Sequence, residues 1–282
     1  MGMKRDGRVQ GFFWGFSLVL LGWIGTEVSR VQAADVPPLV AIYVDDGVWE
    51  DGVTASEHMW WALNASTHRV TAQEIRQGVL TGFDVLHVPG GWAGDYADAL
   101  GEDGLSAIRS FVSGGGGYIG VCAGAYLASS RVRWSGRPVR YGLDLLPVLA
   151  VGPLESIAPW PDYAMALVDY QPHEVTQGLP DPSTLLYYGG ARFRPSPLSD
   201  VAVVAVYAEP GLEGAPAMVA GTYGVGRVFL TALHPEIEEG SAADGVTGWD
   251  DALVDPESDW ALMAQVLHWL LDDSIVEPPV VP

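Results

Sequence analysis

The chain has 282 residues, of which 49% are hydrophobic and 17% charged, a composition typical of a folded globular protein and not of a disordered one. Its formal net charge is −21, so its field repels nucleic-acid backbones and anionic lipid headgroups, and we expect no nucleic-acid partner. Lys4 is the only lysine, so the chain beyond its N-terminus has none for Schiff-base chemistry or a phosphate-binding loop.

Residues 1–33 predict an export signal. Three basic side chains come before an apolar, uncharged stretch at residues 11–25, and Val31-Gln32-Ala33 places small residues where cleavage after Ala33 requires them. An uncleaved membrane anchor stays an alternative, because the uncharged run over residues 9–26 is about long enough to cross a bilayer. We therefore expect a periplasmic or secreted protein with no membrane contact apart from such an anchor.

In the first half of the mature chain, short apolar runs alternate with helical patterns. Branched and apolar side chains predict buried strands, and these lie at residues 39–44, 84–88 and 118–121. Helices are predicted at residues 54–63, with Thr54 and Glu57 as a capping box, at 105–112, and from Cys122 onward. Such alternation predicts a parallel sheet with helices on both faces.

The second half is richer in strands. They are predicted at residues 185–188, 201–207, 217–223 and 227–233, with a tight hairpin turn between the last two. An amphipathic helix over residues 259–271 closes the fold. With no internal repeat or linker, we expect one domain over residues 34–277 and a mobile proline-rich tail at 278–282.

Cys122 is the only cysteine and so has no partner for an internal disulfide. The run Gly120-Val121-Cys122-Ala123-Gly124 joins an apolar strand to a helix start, which is typical of a nucleophile elbow. A helix N-terminus stabilises a thiolate, and the backbone N–H of Ala123 would face a developing oxyanion. The alternative is a buried, inert cysteine.

A thiol nucleophile needs a base, and His234 directly follows a predicted strand. Glu236, two residues later, is placed to accept the second ring N–H of His234 and to orient it. His87 falls inside a strand and is expected to be a core histidine. We expect no metal, because the chain has no second cysteine and no His-x-x-x-His pair.

Gly90 and Gly91 form a turn at the end of another predicted strand, upstream of the elbow. Glycines at such a turn let backbone N–H groups approach a ligand, as an oxyanion hole requires. Because the carboxyl ends of parallel strands share one sheet edge, Gly90, Gly91 and Ala123 are candidate oxyanion-hole or substrate-binding residues beside Cys122 and His234.

These motifs occur in the order found in class I glutamine amidotransferase-like proteins, which the chain resembles over residues 39–271. The run Gly116–Tyr126, the segment Pro172–Pro180 and the Tyr187-Tyr188-Gly189-Gly190 stretch resemble the group named after the N-terminal domain of biotin–protein ligases. The resemblance implies a flavodoxin-like three-layer α/β/α sandwich with a mostly parallel central sheet. It also implies a Cys122–His234–Glu236 triad, and we expect no cofactor.

Biotin transfer is not expected, because that chemistry belongs to a separate ligase domain. Three interpretations stay open. The first is a thiol hydrolase or acyl transferase acting on a small-molecule or peptide amide. The second is a binding or scaffold protein that keeps the fold without turnover, its many aromatic side chains lining a cleft or filling the core. The third is a redox-sensing thiol. The sequence leaves the substrate and the oligomeric state open.

Overall fold

The structure, a computed structural model, describes residues 36–238, 241–247 and 258–271. The described fold lies in one compact unit, Pro37–Pro282. The expected export signal at residues 1–33 and the expected mobile tail at residues 278–282 lie outside the described residues. Among the helices of the described ranges, none has the length and apolar character needed to cross a membrane.

Thirteen strands are found in the described ranges. In chain order they are β1 (Leu39–Tyr43), β2 (Ser66–Val70), β3 (Val85–Val88), β4 (Gly117–Val121), β5 (Ser129–Trp134), β6 (Arg137–Val139), β7 (Leu146–Gly152), β8 (Ala164–Tyr170), β9 (Ser183–Tyr187), β10 (Arg192–Pro195), β11 (Ala202–Tyr207), β12 (Pro216–Tyr223) and β13 (Gly226–Thr231). Nine of them form one sheet in the order β2-β1-β3-β4-β13-β12-β11-β8-β9, and four form a second sheet in the order β10-β7-β5-β6.

The large sheet has two halves of different character. The neighbours from β2 to β13 are all parallel, whereas those from β13 to β9 are all antiparallel. The expectation of a mostly parallel sheet is therefore wrong for the second half. A parallel neighbour needs a long crossover connection, whereas Tyr223 and Gly226 are paired across a two-residue turn, which forces β12 and β13 antiparallel. The predicted hairpin at this turn is confirmed.

Five α-helices lie in the described ranges. They are α1 (Glu50–Ala62), α2 (Ala72–Arg76), α3 (Ala93–Ser113), α4 (Ala123–Ala128) and α5 (Trp260–Leu270). The prediction that a helix begins at Thr54 is wrong, because α1 starts a turn earlier, after Trp49. The capping box forms instead at Thr71 and Glu74, at the start of α2. The predicted helix at residues 105–112 is the second half of α3, which is kinked at Gly101.

The core is centred on the parallel half of the large sheet. Every residue of β3 and β4 is buried, as are four of the five residues of β1. Strands that are buried on both faces are continuously apolar, which is why the sequence pattern located all three within a residue or two. The edge strand β2 is mostly exposed and polar, so it carries no such signal.

Candidate active site

The site lies at the carboxyl edge of the parallel half of the large sheet. The strands β3, β4 and β13 are neighbours in that order and run parallel, so their carboxyl ends meet at one edge. Gly90 follows β3, Cys122 follows β4 and His234 follows β13. The topology thus brings together the three segments that the sequence singled out, as expected for open α/β sheets.

Cys122 has a backbone conformation that non-glycine residues rarely adopt, with φ 47° and ψ −100°. Strain of this kind persists only where surrounding structure imposes it. The Cys122 N–H donates to the carbonyl of Thr231 in β13 at 2.9 Å. A Cβ on Gly124 would lie 2.1 Å from the carbonyl oxygen of Val88, and one on Gly120 would lie 2.7 Å from the backbone of Gly124. The small neighbours therefore allow the close packing that holds the turn.

The thiol of Cys122 is nearly buried, with 8% of the residue exposed. Its Sγ donates a hydrogen bond to the carbonyl oxygen of Tyr188 at 3.4 Å. The side chain therefore has a polar partner at the edge of a cavity, unlike a cysteine embedded in an apolar core.

His234 and Glu236 form a fully buried pair. His234 Nδ1 and the Glu236 carboxylate oxygen are 2.8 Å apart, and both side chains are almost completely shielded from solvent. The backbone N–H of His234 donates to Leu186, and the indole N–H of Trp260 donates to the carbonyl of Glu236. Because Nδ1 is engaged by the carboxylate, Nε2 is the nitrogen left to face a reactant; among the described residues it has no hydrogen-bond partner.

The pKa of His234 is raised from its ordinary 6.5 to about 10. Burial has the largest single effect and lowers this pKa, because it disfavours the charged imidazolium. The negative charge of Glu236, its hydrogen bond and the nearby Cys122 together outweigh burial and raise the pKa. The geometry therefore provides a strongly basic imidazole next to the thiol, although the thiol itself is directed to Tyr188.

The three backbone candidates occupy different places. Gly91 and Ala123 line the same cavity as Cys122 and His234. Gly90 packs behind the imidazole: a Cβ there would lie 2.7 Å from Cε1 of His234. The Gly90 carbonyl also accepts hydrogen bonds from the backbone N–H of Trp49 and the hydroxyl of Tyr96. Gly90 is thus placed to position the histidine rather than to face a ligand.

A cavity of about 390 Å³ opens beside the thiol. Seven aromatic side chains line it, and they are Trp49, Trp92, Tyr126, Trp134, Tyr141, Trp160 and Tyr188. Asp95 is the carboxylate of the lining. The volume is within the range of small-molecule sites, roughly 300–1,000 Å³.

Residues 42–141 match the family model described as biotin-protein ligase, N terminal. The chain is similar to this family over that segment, which confirms the resemblance expected from the sequence. The segment contains Gly90, Gly91, Cys122 and Ala123 but ends before His234. A curated biotin–protein ligase from Schizosaccharomyces pombe is 31% identical over 175 residues, 56% of this chain and 26% of the ligase. The chain thus spans about a quarter of that relative's length.

Solved structures share the fold at low sequence identity. A ThuA-like protein from Parabacteroides merdae aligns with a TM-score of 0.54 at 12% identity, covering 87% of this chain and 94% of that one. A ThuA-like protein from Bacteroides uniformis aligns with a TM-score of 0.53 at 15% identity, covering 86% and 94%. At such identities the likeness concerns the fold alone.

In the described ranges no cluster of three or more His, Cys, Asp or Glu residues could hold a metal ion. His87 is fully buried, and its Nδ1 accepts a hydrogen bond from the indole N–H of Trp60 at 2.9 Å. Burial lowers its pKa to about 3, so it is a neutral core residue.

Sequence reasoning missed most of the cavity lining. Trp92 and Tyr188 adjoin motifs that were singled out, so their positions carried a usable signal. Trp134 ends β5 in the second sheet, and Trp160 lies on a loop between β7 and β8, so no local pattern connects them with Cys122. Their presence at the site depends on how the second sheet packs.

Proposed function

We propose that this chain is an exported, cysteine-dependent amide hydrolase or acyl transferase built on a flavodoxin-like three-layer fold. The observation that carries the proposal is the convergence of Cys122 with the buried His234–Glu236 pair at one sheet edge beside a cavity. A strained nucleophile, a base and a carboxylate that orients the base are the parts that nucleophilic acyl transfer needs. The five parallel strands support the flavodoxin-like part of the proposal.

In the first half of the reaction, the proton of the Cys122 thiol passes to Nε2 of His234, and the thiolate Sγ then forms a bond to the amide carbonyl carbon. The basicity of His234 favours this transfer, and Glu236 stabilises the resulting imidazolium. The backbone N–H groups of Gly91 and Ala123 are candidates to donate to the carbonyl oxygen as it becomes an oxyanion. The C–N bond then breaks, the amine takes the proton from Nε2, and a thioester remains on Cys122.

In the second half, a water molecule or an acceptor amine attacks the thioester carbonyl. His234 removes its proton, a second oxyanion forms at the same place, and the C–S bond breaks. The carboxylic acid or the new amide leaves, and the proton returns to the Cys122 sulfur. The balance is hydrolysis of one amide, or its exchange for another, with no oxidant or reductant.

A second candidate is a binding or scaffold protein without turnover. It is favoured by the hydrogen bond of the thiol to the Tyr188 carbonyl, because this bond gives the thiol proton a backbone acceptor other than the base. Catalysis requires the thiol proton to pass to His234, whose pKa Cys122 already helps to raise. The two candidates therefore differ in whether the thiol responds to the histidine.

The test is the rate at which iodoacetamide labels Cys122 in the folded protein as pH is varied. A histidine-activated thiol should label readily at neutral and mildly acidic pH, where an ordinary thiol is mostly protonated and slow to react, and His234→Asn should move the labelling profile to higher pH. His68→Asn is the matched control, because His68 is exposed on the edge strand β2. An unperturbed profile that is identical in all three proteins would refute the hydrolase proposal and favour the scaffold.

Export is a separate part of the proposal, supported by the pattern of residues 1–33. Expression of the full chain in a bacterial host, followed by fractionation and mass spectrometry, tests it. A soluble periplasmic or secreted product starting at Ala34 is expected. A full-length product in the membrane fraction would favour the anchor instead, and a full-length product in the cytoplasm would contradict both.

A further inference from the structure

The side chains around the cavity form a continuous aromatic wall on one side of the thiol. We define the aromatic wall as Trp92, Trp134, Trp160 and Tyr188. The three indole rings contact one another edge to face with centroids 5.5–6.1 Å apart, and Tyr188 stacks on Trp160 at 5.0 Å. Trp92 is 50% exposed and Trp160 is 37% exposed, so the wall continues to the surface.

The local backbone is shaped to let this wall form. Gly189 has φ +68°, and a Cβ there would lie 2.6 Å from the ring of Trp160. Because the rings are already in mutual contact, no ligand fits between them. A ligand group would instead lie against the cavity side of the wall, over the negative faces or beside the edges of the rings.

The cavity lining carries a carboxylate and, in the described part of the chain, no Lys or Arg. Asp95 contributes a carboxylate three residues after Trp92, and it lies against the loop that follows β1, where a Cβ on Gly47 would be 2.6 Å from Asp95 Cβ. The positive charge of protonated His234 is already balanced by Glu236.

These features disfavour an anionic ligand. A carboxylate or phosphate in the cavity would find no Lys or Arg among the described lining residues, would compete with Glu236 for His234, and would approach both Asp95 and the ring faces. A chain with formal charge −21 also repels anions at longer range. A cation is favoured instead, because the faces of the aromatic rings and the Asp95 carboxylate both attract it.

We propose that the site takes an amide substrate that carries a cationic group, a quaternary ammonium, ammonium or guanidinium, held between the aromatic wall and Asp95. The cationic group is bound near the opening of the cavity, while the scissile carbonyl reaches Cys122. This inference rests on the proposed function for its reactive bond, but the cation subsite is a binding property that exists without turnover.

The test uses three small probes that share a tertiary-butyl-like shape and differ in charge. Choline is the cation, neopentyl alcohol the neutral probe and pivalate the anion. Their dissociation constants are measured by calorimetry on the Cys122→Ala protein, so reactivity of the thiol plays no part. We expect choline to bind at least fivefold more tightly than neopentyl alcohol, and pivalate to bind most weakly.

Variants locate the binding. Trp92→Leu should weaken choline binding about fivefold or more, whereas Trp92→Phe should keep most of it. Trp61→Leu is the matched control, because Trp61 is 80% exposed on α1 and does not line the cavity. Asp95→Asn should weaken choline binding two- to fivefold while Asp98→Asn, one turn further along α3, leaves it unchanged.

The outcomes separate this inference from the proposed function. Equal binding of choline and neopentyl alcohol, tighter binding of pivalate or of a neutral sugar such as N-acetylglucosamine, or choline binding that Trp92→Leu leaves intact, would each overturn the cation subsite. Loss of histidine-dependent labelling of Cys122 with choline binding intact would overturn the hydrolase proposal alone.

Discussion

Burial lowers the pKa of His234, and the negative charge of Glu236 raises it. Replacing Glu236 by Gln removes that charge and keeps the shape of the side chain. The protein contains its own reference for the magnitude. His87 and His234 are both fully buried, yet the pKa of His87, which has no carboxylate partner, is about 3, whereas that of His234 is about 10. We therefore expect the pKa of His234 to fall in Glu236→Gln to 6.5 or below.

A fall from about 10 to 6.5 is worth about 5 kcal/mol in the free energy of the imidazolium, since one pH unit corresponds to about 1.4 kcal/mol. The sign for stability follows from linkage. Because the folded pKa of His234 lies above the unfolded value of 6.5, the bound proton stabilises the wild type fully below pH 6.5. This contribution is lost as pH rises from 6.5 to about 10.

The assay is a pH titration of the ¹⁵N-labelled histidine rings by NMR, together with urea unfolding at several pH values between 6 and 10. The wild type should lose stability across this interval, and Glu236→Gln should lose most of that dependence. Glu238→Gln is the matched control, because Glu238 binds Ser258 and the backbone of Trp260 and not the histidine. A pKa of His234 near 6.5 in both wild type and Glu236→Gln would refute the reasoning.

Two further predictions concern the packing around the site. Gly90→Ala places a Cβ 2.7 Å from the His234 ring, so we expect a loss of about 1–3 kcal/mol in unfolding free energy from overpacking and a shifted labelling profile of Cys122. Gly82→Ala, with open space around its added methyl group, should change neither measurement, and an unaltered Gly90→Ala protein would contradict the close contact. The second concerns His87, whose folded pKa of about 3 lies below its ordinary 6.5. Because the unfolded chain binds a proton first, stability should fall as pH drops from 6.5 toward 3. His87→Gln keeps an acceptor for the Trp60 indole. In urea unfolding it should flatten the dependence of the unfolding free energy on pH, by an amount equivalent to the uptake of up to about one proton. An unchanged pH dependence would show that His87 does not cause it.

The predictable part of the fold is the part whose signal is local. Buried strands such as β3 and β4 are continuous apolar runs, and the turn between β12 and β13 is rich in glycine, so both were located from the sequence. The start of α1 was misplaced because Thr54 offers a capping pattern that the chain does not use; Trp49 precedes the helix instead. A capping pattern is a weak preference that tertiary packing overrides.

The direction of the second half of the sheet was also beyond the sequence pattern. An apolar run of five or six residues does not distinguish a parallel from an antiparallel strand. Only the connection decides, and the strands from β8 onward are joined without the long helices that parallel neighbours need. The second, four-stranded sheet was not predicted, although side chains of its strand β7 alternate between buried and more exposed positions, whereas β6, fully exposed and three residues long, carries no such signal.

The sequence by itself identified Cys122, His234 and Glu236 as a group, because a lone thiol between small residues and a His-x-Glu pair after a strand are local chemical patterns. Only the tertiary structure decided how they meet: that Gly90 supports the imidazole, that the thiol is directed to Tyr188, and that an aromatic wall stands beside them. The physical reason is distance along the chain. Side chains such as Trp134 and Trp160 reach the cavity through the packing of separate elements. Contacts between residues far apart in the chain produce no local sequence pattern from which they could be predicted.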